Sequence, residues 1–151
     1  MSEVRSEEET LRQLIVEIRL LEGTGETLQN RLNMIEGALT DLHIAQSTLQ
    51  GIKDQKPDLQ LLIPVGGNTY VKAKLDDPKT VITGIGADVA LEKGIDEAQE
   101  SMNTQLTEFE KVRASLQQQL VQVAGRLEQN RAQFNELTGQ MGEGSQVVRQ
   151  A

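Results

Sequence analysis

Apolar residues fall into a strict heptad from Leu11 onward. Leu11, Ile18, Gly25, Leu32, Leu39 and Gln46 mark one seam position, and Leu14, Leu21, Leu28, Ile35, Leu42 and Leu49 mark the other. Only Gly25 and Gln46 break the series. A 3-4 spacing held over about six heptads predicts a coiled coil, because the wider stripe of a globular helix drifts off that period. Ser6-Glu7-Glu8-Glu9 has the form of a capping box and predicts the helix start; Gly51 and Pro57 predict its end near residue 54. The period then changes. From Leu59 to Lys93 apolar and polar residues alternate: Leu59, Leu61, Ile63 and Val65 share a face, Gly66-Gly67-Asn68 suits a turn, and Val71, Ala73 and Leu75 return. After Asp76-Asp77-Pro78, Val81, Thr83 and Ile85 share a face with Ile82 and Gly84 opposite; Gly86-Ala87-Asp88 turns and Val89 and Leu91 come back. Two β-hairpins are predicted over about 59–93. The helical period resumes near Gly94 with Asp96 and Glu97 in the first turn.

The second seam reads Ile95, Gln99, Met102, Leu106, Phe109, Arg113, Leu116, Leu120, Val123, Leu127, Asn130, Phe134, Leu137 and Met141, of which eleven are apolar. Two helices of roughly 45 residues joined by a compact insert must lie antiparallel, each about 65 Å long at 1.5 Å per residue. The predicted fold class is α+β: a long antiparallel two-helix coiled coil with two β-hairpins inserted between the helices. One domain is expected, with helices over about 6–54 and 95–141 and a flexible tail over 142–151. Gly23 and Gly25 fall level with Gly125, so a hinge at that height is an expectation; relief of crowding at the seam is the alternative. Four short strands cannot enclose a core and leave open edges, so the hairpins are expected to pair with other subunits.

Composition narrows the function classes. The 151-residue chain has 2% aromatic residues and no Trp, which argues against a large globular core. Its net charge of -8 argues against nucleic acid as the main partner and favours a basic or neutral protein. Without cysteine there is no disulfide framework or thiolate nucleophile. The acidic, polar start and the lack of a long apolar run predict no signal peptide, no membrane association and a cytoplasmic location.

No enzyme chemistry, cofactor or metal site is expected. His43, the single histidine, reads as a helix-surface residue. Gly84-Ile85-Gly86 begins like a dinucleotide loop, but Val89 stands where the third glycine belongs and no helix follows the turn. Apolar surplus is more informative. Val4, Leu11, Leu14, Ile15, Phe134, Leu137, Met141, Val147 and Val148 exceed what a two-helix seam needs at the end carrying both termini. Closing the coiled coil is one role for them; holding apolar segments of other proteins is the other.

The stretch LLIPVGGNTYVKAKLDDPKTVITGIGADVALEKGIDEA resembles the core of alpha-class prefoldin subunits, through Pro64, Gly66, Tyr70, Val71, Pro78, Val81, Ile85 and Gly86. The second hairpin, over 80–93, favours the alpha class over the one-hairpin beta class. This resemblance implies an ATP-independent holding chaperone: a hexamer of two alpha and four beta subunits whose hairpins form a double β-barrel platform. It further implies that the coiled-coil tips capture unfolded client proteins and deliver them to a group II chaperonin. Leu61, Ile63, Val65, Tyr70, Val71, Val81, Ile82, Ile85, Val89 and Leu91 are the expected oligomerisation residues. A structural coiled-coil scaffold without client holding is the alternative.

Overall fold

The computed structural model describes residues 2–150, with side chains described through residue 142. The element order is α1 (Ser2–Lys53), β1 (Gln60–Gly66), β2 (Thr69–Lys74), β3 (Thr80–Gly86), β4 (Val89–Gly94) and α2 (Ile95–Gln150). The chain divides into two compact units, one formed by Glu36–Lys111 and the other by residues before and after that stretch.

In the unit that carries both ends of the chain, α1 and α2 pack through the heptad seam. Leu28, Leu32 and Leu116 form a buried cluster, with Ile35, Leu120 and Val123 packed against it. Leu14 is buried in the same seam, and Leu11, Ile18, Leu21, Leu127, Phe134, Leu137 and Met141 are half-buried. Arg126 donates to Glu17 at 2.7 Å and Arg131 to Glu22 at 2.8 Å, tying the helices across the seam. Both pairs are exposed, where such contacts contribute about 0.2–1 kcal/mol each. The apolar stripe therefore holds this unit together.

In the other unit the seam continues through buried Leu39, Ile95, Ala98 and Leu106. Near the hairpins it becomes polar: Gln46 donates to Asn103, and Gln99 donates to Gln50 at 3.1 Å. Lys53, in the last turn of α1, pairs with Asp96 in the first turn of α2. A cation at a helix C-terminus and an anion at an N-terminus are each favoured by the peptide dipoles.

The strands form two separate two-stranded antiparallel sheets, β1-β2 and β3-β4. Gly67 and Asn68 at φ 57° and 58°, and Ala87 and Asp88 at φ 50° and 59°, have the left-handed geometry of type I′ hairpin turns. Each turn follows a register shift, between Pro64 and Gly66 in one hairpin and between Gly84 and Gly86 in the other. Asp77 organises the link between the hairpins by accepting from Lys79 N at 2.9 Å and Thr80 Oγ1 at 3.2 Å. The second hairpin is anchored to α2 through Ile95 N, which donates to Lys79 O at 2.8 Å.

Two helix boundaries differ from expectation. Ser2, not Ser6, begins α1; Ser6 lies inside it and its carbonyl accepts from Thr10 Oγ1 at 2.9 Å. The stretch has neither Gly nor Pro, so nothing in it delays the start until the Ser6 capping motif. α1 ends at Lys53, beside the expected end near residue 54, and Gly51 stays helical because glycine weakens a helix without removing a backbone donor. At the other end α2 continues to Gln150 across the region expected to be a flexible tail after 141. Gly142 and Gly144 again weaken the helix without removing donors, and no proline interrupts it.

Candidate functional site

No group of three or more His, Cys, Asp or Glu side chains placed to hold a metal exists among the described residues. Gly84 and Gly86 lie at the end of β3, which reverses into β4, so the glycine pair faces a turn rather than a helix N-terminus. His43 lies on α1 beside Gln46, Ser47 and Gln50, lining a shallow polar hollow with Gln99 and Asn103. The hydrogen bond and then the charge of Asp96 hold the Lys53 ammonium above its usual 10.5, with partial burial opposing them.

Exposed apolar surface distinguishes the hairpins. Paired residues of an antiparallel sheet share a face and neighbours along a strand alternate. One face of the first hairpin thus carries Leu61, Ile63, Val71 and Ala73, and the matching face of the second carries Val81, Thr83, Leu91 and Lys93. Leu61, Ala73, Val81, Thr83 and Lys93 are half-buried, while Ile63, Val71 and Leu91 are exposed. The opposite faces hold Leu62, Pro64 and Tyr70 on the first hairpin and Ile82 on the second, all exposed; Ile82 reaches 78% exposure. Val65, Ile85 and Val89, beside the register shifts, are exposed as well. Ten residues expected to mediate assembly therefore lie together on two small sheets, and eight of them are open to solvent. Among the described residues neither sheet gains a third strand.

The residues expected to hold clients divide differently. Val4 and Ile15 are exposed, Leu14 is buried, and Leu11, Phe134, Leu137 and Met141 are half-buried in the seam. Val147 and Val148 lie outside the residues whose side chains are described. Sequence reading missed Val16 and Leu20, which are 58% and 67% exposed and one helical turn apart on α1. With Arg12, Gln13 and Glu17 they line a shallow hollow of largely apolar character. The signal was present as an apolar i, i+4 pair outside the heptad positions, beside Ile15 and Leu21.

Comparisons with known proteins agree with these features. A family model described as Prefoldin subunit matches residues 21–140. The chain is 40% identical over 123 residues to a protein named Prefoldin subunit alpha from Methanopyrus kandleri, covering 80% of this chain and 78% of that one. It is 31% identical over 138 residues to a protein of the same name from Methanococcus aeolicus, covering 89% and 94%. A cryo-EM structure of filamentous PFD from Methanocaldococcus jannaschii shares the fold, with a TM-score of 0.60, 21% identity, and coverage of 83% of this chain and 98% of that one. Helices that pair through a heptad seam, two hairpins set between them and the alpha-type relatives lead to one conclusion: the chain belongs to the prefoldin family, among its alpha subunits.

Proposed function

We propose that this chain is a subunit of an ATP-independent holding chaperone that works in the cytoplasm. Its hairpins join those of prefoldin beta subunits and a second alpha subunit in an alpha2-beta4 hexamer. The observation that carries this reading is the pair of isolated two-stranded sheets with apolar side chains exposed on both faces. Two-stranded hairpins are marginal by themselves, and their open edges and faces call for further strands. Joining into intersubunit β-barrels closes the edges and covers Ile63, Val71 and Leu91.

The paired helix ends supply the holding surface for unfolded proteins, which pass from there to a group II chaperonin. Val4 and Ile15 offer apolar surface without rearrangement, and Val16 and Leu20 extend it along α1. Leu11, Phe134, Leu137 and Met141 add contact area where the seam frays; Leu14 joins only if it opens, and Val147 and Val148 complete the expected set. No nucleotide is needed, because burial of apolar client surface drives capture.

The test mixes the purified assembly with a chemically denatured client and follows light scattering without nucleotide. Suppressed aggregation is expected, while unchanged scattering would sink the reading. A structural scaffold is separated by removing residues 1–9 and 142–151: no effect on any interaction of the assembly favours the scaffold, and weakened client holding with intact assembly favours the chaperone.

A further inference from the structure

The apolar hollow around Val16 and Leu20 is continuous with a second one on α1, since Leu20 lines both. The second runs over Gly23, Thr24 and Thr27 between Arg19 and Arg31, and reaches the edge of the seam at Leu28. Together they make a shallow groove from Arg12 to Arg31, about 28 Å long at 1.5 Å per residue. It lies wholly within the unit that carries both ends of the chain. Val16, Leu20, Gly23 and Thr27 are spaced by four, three and four residues on the side of α1 turned away from the seam. On a two-helix stalk that side is ordinarily charged, yet from Val16 through Met34 these outermost positions hold no charged residue.

Gly23 is the residue that helix packing leaves unexplained. A helical glycine costs about 1 kcal/mol against alanine, and a Cβ built there meets nothing within 4 Å. Its missing side chain instead deepens the groove and leaves the backbone open to close approach by another chain. Thr24 Oγ1 donates to Leu20 O at 2.9 Å and Thr27 Oγ1 to Gly23 O at 3.1 Å, so both hydroxyl donors are used within α1. The floor therefore asks for little beyond apolar contact. The rim is different. Glu17 is held by Arg126 and Glu22 by Arg131, whereas Arg12, Arg19 and Arg31 make no ion pair among the described residues. Glu26 is the one other acid on α1 between Arg12 and Arg31. In a chain of net charge -8, this groove is edged by three uncommitted guanidinium groups.

We propose that the groove takes an extended segment of an unfolded client in which apolar residues are flanked by Asp or Glu. Its apolar side chains lie on Val16 and Leu20, its backbone passes over Gly23, and its carboxylates meet Arg12, Arg19 and Arg31. At about 3.3 Å per residue, roughly nine extended residues cover the distance. Guanidinium groups suit this role because their forked donors match carboxylate geometry. A shallow floor without a deep pocket for any one side chain suits segments of varied sequence, with the charged rim as the selective element. This inference rests on the reading of the chain as a holding chaperone and names the class of client segment held along α1.

The test titrates the purified assembly with a labelled synthetic peptide of about ten residues, leucines at its centre and aspartates at both ends, and follows fluorescence anisotropy. The same peptide with lysines in place of the aspartates is the control. The acidic peptide is expected to bind about tenfold more tightly, with the advantage shrinking as salt is raised. Equal binding of the two peptides, or no binding of the acidic one, overturns the proposal. Arg19→Gln with Arg31→Gln is expected to reduce the acidic advantage about fivefold at unchanged helix content. Gly23→Leu is expected to weaken both peptides about tenfold while raising the urea midpoint, since leucine is the better helix former. Undiminished peptide binding by Gly23→Leu overturns the groove as the site. A native mass that falls in Gly23→Leu, with no peptide bound by the natural assembly, assigns the groove to a second copy and overturns the client. Light scattering with a denatured client on the same samples separates the two readings. Client holding without acidic preference overturns this inference alone, whereas absent holding removes the chaperone reading itself.

Discussion

Glycine acts in opposite directions in the helices and in the hairpins. A Cβ built at Gly23 or Gly125 meets nothing within 4 Å, and one at Gly25 meets Val123 Cγ1 at an ordinary 3.6 Å. Packing therefore does not require glycine there, and each costs about 1 kcal/mol against alanine. Gly125→Ala is expected to raise stability by up to about 1 kcal/mol, read as a higher urea midpoint by circular dichroism. Gly66, at φ 103°, occupies backbone space that other residues rarely adopt. Gly66→Ala is expected to cost about 1–3 kcal/mol in the same measurement. Lys53 gives a pH dependence of definite sign. Because Asp96 raises its pKa above 10.5 in the folded chain, the pair's contribution is present below that value and lost as pH rises through the folded value. Melting at pH 9 and pH 11 should show a larger drop for the natural chain than for Asp96→Asn; equal drops would refute this role.

Seam chemistry decides the behaviour of the helices. Every seam position named from the heptads is buried or half-buried, including the polar Gln46, Gln99, Arg113 and Asn130. Gln46 and Gln99 find partners across the seam, whereas Asn130 Nδ2 is buried without a hydrogen bond. An unsatisfied buried amide costs about 1–3 kcal/mol, so Asn130→Leu should stabilise the helical pair by an amount of that order. Leu32→Ala, within the buried cluster, should instead cost about 2–5 kcal/mol. Denaturant titration of both variants checks the two signs. Element type and period were legible because a seam and a two-residue alternation are written in the residues. The start of α1 and the end of α2 were not, since Ser6 and Gly142 are compatible with both a boundary and an interior, and neighbouring backbone bonds settle which occurs.

For the whole molecule, assembly and client holding should be separable by mutation. Val71→Asp or Ile63→Asp places a charge on an apolar hairpin face and should lower the native mass with helix content nearly unchanged, by native mass measurement and circular dichroism. An unchanged mass would remove the hairpins from assembly. Val16→Ser with Leu20→Ser should keep the mass and weaken client holding several-fold in the light-scattering assay, since about 25 cal/mol per Å2 of apolar contact is lost. Full holding by that double variant would remove Val16 and Leu20 from the client surface.

The residues alone determined the two helical periods, the two turns and the order in which they follow one another. These are local matters: 3-4 spacing, two-residue alternation and residues tolerant of positive φ each act within a few positions. Tertiary structure decided which apolar residues remain uncovered. Leu14 and Ile15 are adjacent in sequence, yet one is 5% exposed and the other 38%, because the partner helix covers one side of α1. The equivalence of the two hairpins likewise became visible through their common register, since Tyr70 and Ala90 have no resemblance as residues and correspond only by position in the sheets.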